Sequence, residues 1–244
     1  ELIAALKIAE AGHVPVTEMK SSWAGALGQP QFMPASFLAY AADGDGDGHA
    51  DIWRSEADTL ASIANFLLVH GWDKRRDWGF EVRLPDSLSC ALEGPDQGRS
   101  IADWQEAGVT RISERPFPDH ELPGESFLML PAGRLGPAFL VSPNFYVLKR
   151  YNRSDLYALY VGNLGDRIDY GVGDFTAGWD ETAKMLRSDI ADIQRALEAR
   201  GYDVGGADGL PGHKTRRSIG RWQESAGLPA TCFPTPEIRQ ALVE

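Results

Sequence analysis

Apolar side chains recur on one side of a helical projection through the first eleven residues. Leu2, Ile3, Leu6 and Ile8 predict a helix that Gly12 can end. The pattern starts without a capping residue and without an initiating methionine. The chain is therefore expected to be a piece of a longer polypeptide, in which the lack of a signal peptide says nothing about compartment. A second helix is predicted after Ser55, with Asp58 as capping-box partner, Leu60, Ile63, Ala64 and Leu67 as its buried stripe, and Gly71 as its stop. From about 78 to 146 the character changes. Short apolar runs at 80–84, 127–130 and 138–141 are separated by proline and glycine, which predicts a strand-rich insert with one short helix at 101–107. Helical text resumes at Ser154, a predicted N-cap, with Leu156, Leu159, Val161 and Leu164 facing inward. A helical domain interrupted by a strand-rich insert is an α+β, mainly helical arrangement.

The glycine-rich stretch 171–178 predicts a linker; its spacing gives no support for a phosphate cradle. After it, Ile190, Ile193, Leu197, Ile219 and Trp222 predict the core of a separate three-helix unit. The expected domains are thus 1–178, containing the insert, and 185–244. Composition narrows the function classes. Of 244 residues, 24 are basic and 35 acidic, a net charge of -11 that offers no general field for nucleic acid or anionic lipid. The longest apolar runs, such as 63–69, are too short for a bilayer, so no membrane span is expected. Two cysteines cannot build a disulfide framework or a cysteine metal site; Cys90 and Cys232 are expected as unpaired, partly buried thiols, with a pairing across the chain as the alternative. His13, His70, His120 and His213 show no metal spacing. Lys214, Arg216 and Arg217 are expected as a solvated basic helix face.

One loop carries metal chemistry. Asp43, Asp45 and Asp47 alternate with glycine, and Gly48 stands at the sixth position, where an EF-hand loop makes its sharp turn. His49, at the seventh, would contribute its backbone carbonyl. The closing bidentate glutamate is replaced by Arg54, which leaves Asp58 as the expected substitute. A structural Ca²⁺ ion is the expected cofactor. Upstream, the run S-W-A-G-A-L-G-Q-P-Q-F-M-P from Ser22 to Pro34 presents an amide, an aromatic ring and a thioether together. Gln31, Phe32 and Met33 suit a sugar by hydrogen bonding, stacking and apolar contact, although a tight helix contact with buried aromatics fits the same residues.

This run closely resembles the lytic murein transglycosylase B family. The D-G-D-G-D-G-H-A-D-I-W loop follows at the family's distance, and S-P-N-F-Y from Ser142 with R-Y-N from Arg150 is a third match. Resemblance extends over about 1–174. The tail resembles a PG_binding_1-type peptidoglycan-binding domain through Gln194, Gly201, Tyr202, Asp208, Gly209, Thr215, Trp222 and Gln223. The resemblance implies a lysozyme-like fold and a calcium site in the aspartate loop. It implies a bacterial periplasmic or envelope location, with peptidoglycan glycan strands as substrate. The implied reaction cuts the MurNAc–GlcNAc bond without water and leaves a 1,6-anhydro sugar. One glutamic acid would serve as acid and then as base, in an E-S-x-F-G-like motif that is absent from these 244 residues. It is expected upstream, with a cleaved N-terminal fragment as a conceivable partner, and neither Glu10 nor Glu18 has the flanking residues. The family pattern assigns the hydroxyl of Ser22 to the neighbourhood of that glutamate, Gln31, Phe32 and Met33 to sugar contacts, and Asn144, Tyr146 and Tyr151 to the cleft lining. A non-catalytic, calcium-stabilised peptidoglycan-binding scaffold is the alternative.

Overall fold

The computed structural model describes residues 1–243, which divide into two compact units, Glu1–Asp73 and Lys74 onward. In the first unit, α1 (Leu2–Ala11) ends at Gly12 in the left-handed conformation, φ 70°. A 3-10 turn at Val16–Glu18 leads to α2 (Pro34–Tyr40) and α3 (Glu56–Val69). Ile8, Leu27, Phe32, Phe37, Ile52 and Phe66 form the buried apolar interior. The predicted face of α3 is wrong by about one position. Leu60 is exposed, and Asp58, Thr59, Ser62 and Phe66 are the buried residues. Polar demand from the adjoining loops turns the helix: Thr59 Oγ1 donates to Ile52 O at 3.2 Å, and Ala42 N donates to Ser62 Oγ at 2.9 Å. Ser55 does cap the helix, accepting from Asp58 N at 3.2 Å. The Asp58 carboxylate does not return the bond, because it is spent on the aspartate loop.

The second unit is built on a five-stranded antiparallel sheet, formed by β1 (Gly79–Arg83), β2 (Arg99–Ser100), β3 (Thr110–Arg111), β4 (Glu125–Met129) and β6 (Ala138–Val141). The order is β2-β4-β6-β1-β3, and β5 (Pro131–Arg134) connects β4 to β6. Leu140 is paired with Phe80 on one side and Leu128 on the other, which stacks three apolar side chains across the sheet. With Trp104 of α4 (Ile101–Glu106) they form the main core of the unit. Helices α5 (Pro143–Tyr151) and α6 (Asp155–Tyr170) follow. Ser154 caps α6, and Gly171 ends it at φ 66°. The predicted inward face of α6 is only partly realised: Leu159 is buried, but Leu156 is 57% exposed and Leu164 40%.

Residues 171–186 form no helix or strand. Beyond them α7 (Arg187–Glu198), α8 (His213–Ser225) and α9 (Pro236–Val243) pack around Ile193, Leu197, Val204, Ile219, Ile238 and Leu242. This three-helix part is bolted to the sheet part of its unit. Cys90 and Cys232 form a disulfide across 142 residues of sequence, not the two thiols expected. The basic face of α8 is likewise not solvated. Arg216 and Arg217 are 3% and 5% exposed. Arg216 grips Glu93 with both arms of its guanidinium (Nε to Oε2 at 2.9 Å) and reaches Asp155, while Arg217 pairs with Asp96 at 2.7 Å. No helix among the described residues is long and apolar enough to cross a membrane.

Candidate functional site

The Ser22–Pro34 run folds as a tight hairpin followed by the first turn of α2. Ser22 N donates to Ala26 O at 2.8 Å, and Gly25 N donates to Ser22 O at 3.0 Å. Leu27 and Phe32 exchange backbone hydrogen bonds at 2.6 and 3.1 Å. Gly28 sits between them at φ 60°, against Ile52; a Cβ there would lie 2.6 Å from the Ile52 carbonyl oxygen. Gln31 follows at φ 57°, a left-handed conformation that non-glycine residues seldom take. This backbone pushes Gln31 out while Phe32 turns in.

The outcome is a groove of about 650 Å³ within the first unit, lined by Lys20, Ser22, Gln29, Gln31, Trp53 and Arg54 among others. Ser22 Oγ accepts Ala26 N at 3.1 Å, so its own proton remains available to a ligand. Gln31 Nε2 donates to Gly28 O at 2.8 Å, which holds the amide still and leaves its oxygen for an incoming donor. Trp53 is fixed by a hydrogen bond from its indole N–H to Lys20 O at 2.8 Å. Phe32, expected to stack on a sugar, is 3% exposed and lies among Tyr40 and Phe66. It has no open ring face, and its place is in the core beneath Gln31. Met33 is half-buried at the N-cap of α2. Glu18 is at the groove margin, ion-paired to Arg54 at 2.9 Å and well exposed. That is not the dry, apolar setting a proton donor needs.

The aspartate loop belongs to the same unit. Carboxylate oxygens of Asp43, Asp45 and Asp47 lie within 4.8 Å of one another. The loop is wound around Asp43, which accepts from Gly46 N at 2.6 Å, Gly48 N at 2.8 Å and Asp47 N at 3.2 Å. These bonds, led by the one from Gly48, hold the Asp43 carboxyl below its ordinary range. Asp58 stands apart from the three. It is buried, with one oxygen accepting Gly44 N at 2.8 Å and the other Asp51 N at 2.7 Å, and so ties the loop to α3. His49 is exposed, its ring edge-on to His13. Three converging carboxylates are a hard oxygen donor set, which fits Ca²⁺ by charge and ligand type.

The remaining candidates lie in the second unit. Asn144 is 1% exposed, and its amide donates to Arg76 O at 2.7 Å. Tyr146 is half-buried, edge-on to Phe127 and Phe145, and burial raises its hydroxyl well above the ordinary value. Tyr151 is half-buried at the end of α5, with its hydroxyl raised by burial in the same way. Asn144 braces the start of α5, and both tyrosines keep their protons at physiological pH. In the three-helix part, Gln194 is a fully buried hub missed as a role from sequence. It donates to Thr215 Oγ1 at 3.0 Å and accepts Gly209 N at 2.7 Å. Asp208 accepts Leu210 N at 2.9 Å, so Asp208 and Thr215 fix the 203–212 loop.

Comparisons with known proteins agree with this layout. Residues 1–166 match the family described as transglycosylase SLT domain (SLT_2), and residues 187–242 match a peptidoglycan binding domain of the PG_binding_1 type. The membrane-bound lytic murein transglycosylase B of Escherichia coli (strain K12) is 34% identical over 158 residues, which is 62% of this chain and 40% of that protein. The structure of SltB3 from Pseudomonas aeruginosa in complex with NAG-anhNAM-pentapeptide superposes with a TM-score of 0.90 at 44% identity, covering 99% of this chain and 64% of that one. The Escherichia coli lytic transglycosylase Slt35 in complex with calcium aligns with a TM-score of 0.55 at 30% identity, over 70% of this chain and 52% of that one. The chain thus spans less than two thirds of each of these proteins. With two thirds of its length inside the match, the chain belongs to the transglycosylase SLT domain family and ends in a PG_binding_1-type domain.

Proposed function

We propose that this chain forms the glycan-holding groove and the wall-binding part of a peptidoglycan lytic transglycosylase. The observation that carries the reading is the match along nearly the whole chain to a structure that holds an anhydro-muramyl product. In the proposed reaction a glutamic acid gives its proton to the oxygen between MurNAc and GlcNAc, and the C1–O bond breaks. The resulting carboxylate then takes the proton of the muramyl C6 hydroxyl as that oxygen bonds to C1, which regenerates the acid and adds no water. The glutamate is proposed to lie outside residues 1–244, because no E-S-x-F-G-like motif occurs among them. The residues of this chain bind and orient. Ser22 donates from the groove wall, Gln31 offers its amide oxygen to a hydroxyl or acetamido N–H, and Trp53 supplies an apolar wall.

Ca²⁺ is proposed at Asp43, Asp45 and Asp47 with the His49 carbonyl, in a structural role that pins the loop beneath the groove-side residues Trp53 and Arg54. A periplasmic or envelope location follows from the substrate, and the Cys90–Cys232 disulfide supports it, since such bonds persist in oxidising compartments. The test is sedimentation of the 244-residue chain with purified sacculi, in competition with a soluble GlcNAc–anhydroMurNAc–peptide. Co-sedimentation that the fragment reverses is expected. Failure to sediment at physiological salt overturns the reading.

A further inference from the structure

We propose that Trp23 is a sugar-stacking platform that extends the groove of Ser22 and Gln31 by one saccharide along the glycan strand, an inference that rests on the peptidoglycan reading of that groove. Trp23 is completely exposed, at 101%, and no ring, cation or hydrogen-bond partner touches its side chain among the described residues. An indole is the largest apolar side chain a protein can leave in water, and its flat face is best matched by another flat apolar face. A pyranose ring provides one in its axial C–H groups, with hydroxyls at the edge.

Three features tie Trp23 to the end of the groove at Ser22. First, its backbone is fixed. The Gly25 N to Ser22 O bond closes a four-residue turn with Trp23 at its second position, and Ser22 Oγ fastens the far side through Ala26 N. A Ser21–Leu27 bridge and the Leu27–Phe32 pair anchor that turn in the core, where Leu27 and Phe32 are each 3% exposed. Little backbone freedom remains to be lost on binding. Second, Trp23 continues a lining already present. Its chain neighbour Ser22 lines the groove, and the carbonyl of Lys20 on the same segment accepts the Trp53 indole N–H, so Trp23 directly follows the Lys20–Ser22 wall in the chain. Third, the groove that begins at its chain neighbour Ser22 has polar groups of the right kind: Lys20, Ser22, Gln29 and Gln31 line it with donors and acceptors suited to hydroxyls and acetamido groups.

The test uses the 244-residue chain and a peptide-free (GlcNAc–MurNAc) tetrasaccharide, followed by the NMR signals of the seven indole N–H groups, with that of Trp23 identified by its absence in Trp23→Phe. Saturating sugar is expected to shift the Trp23 indole and the Gln31 side-chain amide together. Trp23→Ala should bind roughly five- to tenfold more weakly, while Trp23→Phe stays within about threefold of the unmodified chain. A Gln31 shift without a Trp23 shift, with unchanged affinity in Trp23→Ala, overturns the platform and leaves the groove reading standing. Absence of both shifts removes the groove reading and the platform with it. Since Trp23 packs on nothing, the melting temperature of each variant should match the parent.

Discussion

At the scale of single residues, the groove depends on two glycines that the chain uses for different reasons. Gly25 takes φ 86° with open space where a Cβ would go, whereas Gly28 takes φ 60° with the Ile52 carbonyl in the way. Gly25→Ala should therefore cost only the left-handed backbone penalty, about 1 kcal/mol, and Gly28→Ala should cost at least about 2 kcal/mol more because Ile52 must move. Denaturant unfolding of the two variants checks the difference, and equal losses would mean that the Ile52 contact is not decisive. The motif residues were legible in sequence because their types are unusual, but their directions were not. Nothing in F-M-P says that Phe32 turns inward while Gln31 turns outward; the left-handed φ at Gln31 decides it. Gln31→Gly should thus leave stability equal or higher yet weaken sugar binding, as the amide is lost without backbone strain.

Among elements, the aspartate loop and the α8 face show two ways in which charge is handled. The loop gathers three exposed carboxylates whose mutual repulsion a divalent cation would relieve. Asp45→Ala and Asp47→Ala are predicted to lower the melting temperature in millimolar Ca²⁺ and to have little effect in chelator. Identical melting of the unmodified chain in calcium and in chelator would contradict the metal proposal. On α8, Arg216 is buried against Glu93, and burial pushes the Glu93 carboxyl up while Arg216 draws it back. Arg216→Ala strands that carboxylate and is predicted to cost about 3–5 kcal/mol, whereas the double variant Glu93→Leu/Arg216→Met should recover most of the loss. Asp155 adds a pH dependence. Burial alone would raise its carboxyl, but Lys149 and Arg216 hold it below the ordinary 3.8. A depressed folded-state value contributes stability that is complete above about pH 4 and lost as pH falls through the folded value. The stability gap between the unmodified chain and Asp155→Asn should therefore be full at pH 7 and close below about pH 4 in melting curves.

Element existence was well marked in sequence. The caps Ser55 and Ser154, the stop Gly12, and the short apolar runs of the insert all lie where the structure has them. Element faces were poorly marked. On α3 the apolar stripe through Leu60 was outvoted by backbone groups needing Thr59, Ser62 and Asp58, and on α8 a basic run looked solvated because Glu93 and Asp96, which bury Arg216 and Arg217, stand more than 120 residues earlier. Periodicity measures apolarity along a helix, and it does not register polar groups that arrive from elsewhere in the fold.

For the molecule as a whole, the second unit is a sheet part and a three-helix part joined by covalent and ionic ties. The Cys90–Cys232 bridge closes a loop of 142 residues, which the chain-entropy argument values at roughly 5 kcal/mol. Reductant, or the Cys90→Ser/Cys232→Ser variant, should lower the stability of this unit by a comparable order, and material made in a reducing compartment should melt like the variant. Sequence left the pairing open as the alternative to two thiols, because two cysteines that far apart carry no local signal of proximity. Family membership was legible from three ordered motifs, and the groove residues from one of them. The central claim concerns chemistry, and product mass tests it most directly. The gene product that contains this chain together with any E-S-x-F-G-like segment should be incubated with purified sacculi, and the released muropeptides weighed. Fragments ending in 1,6-anhydro-MurNAc, one water lighter than hydrolysis products, are predicted. Reducing muramic acid ends, or no release at all, would contradict the account.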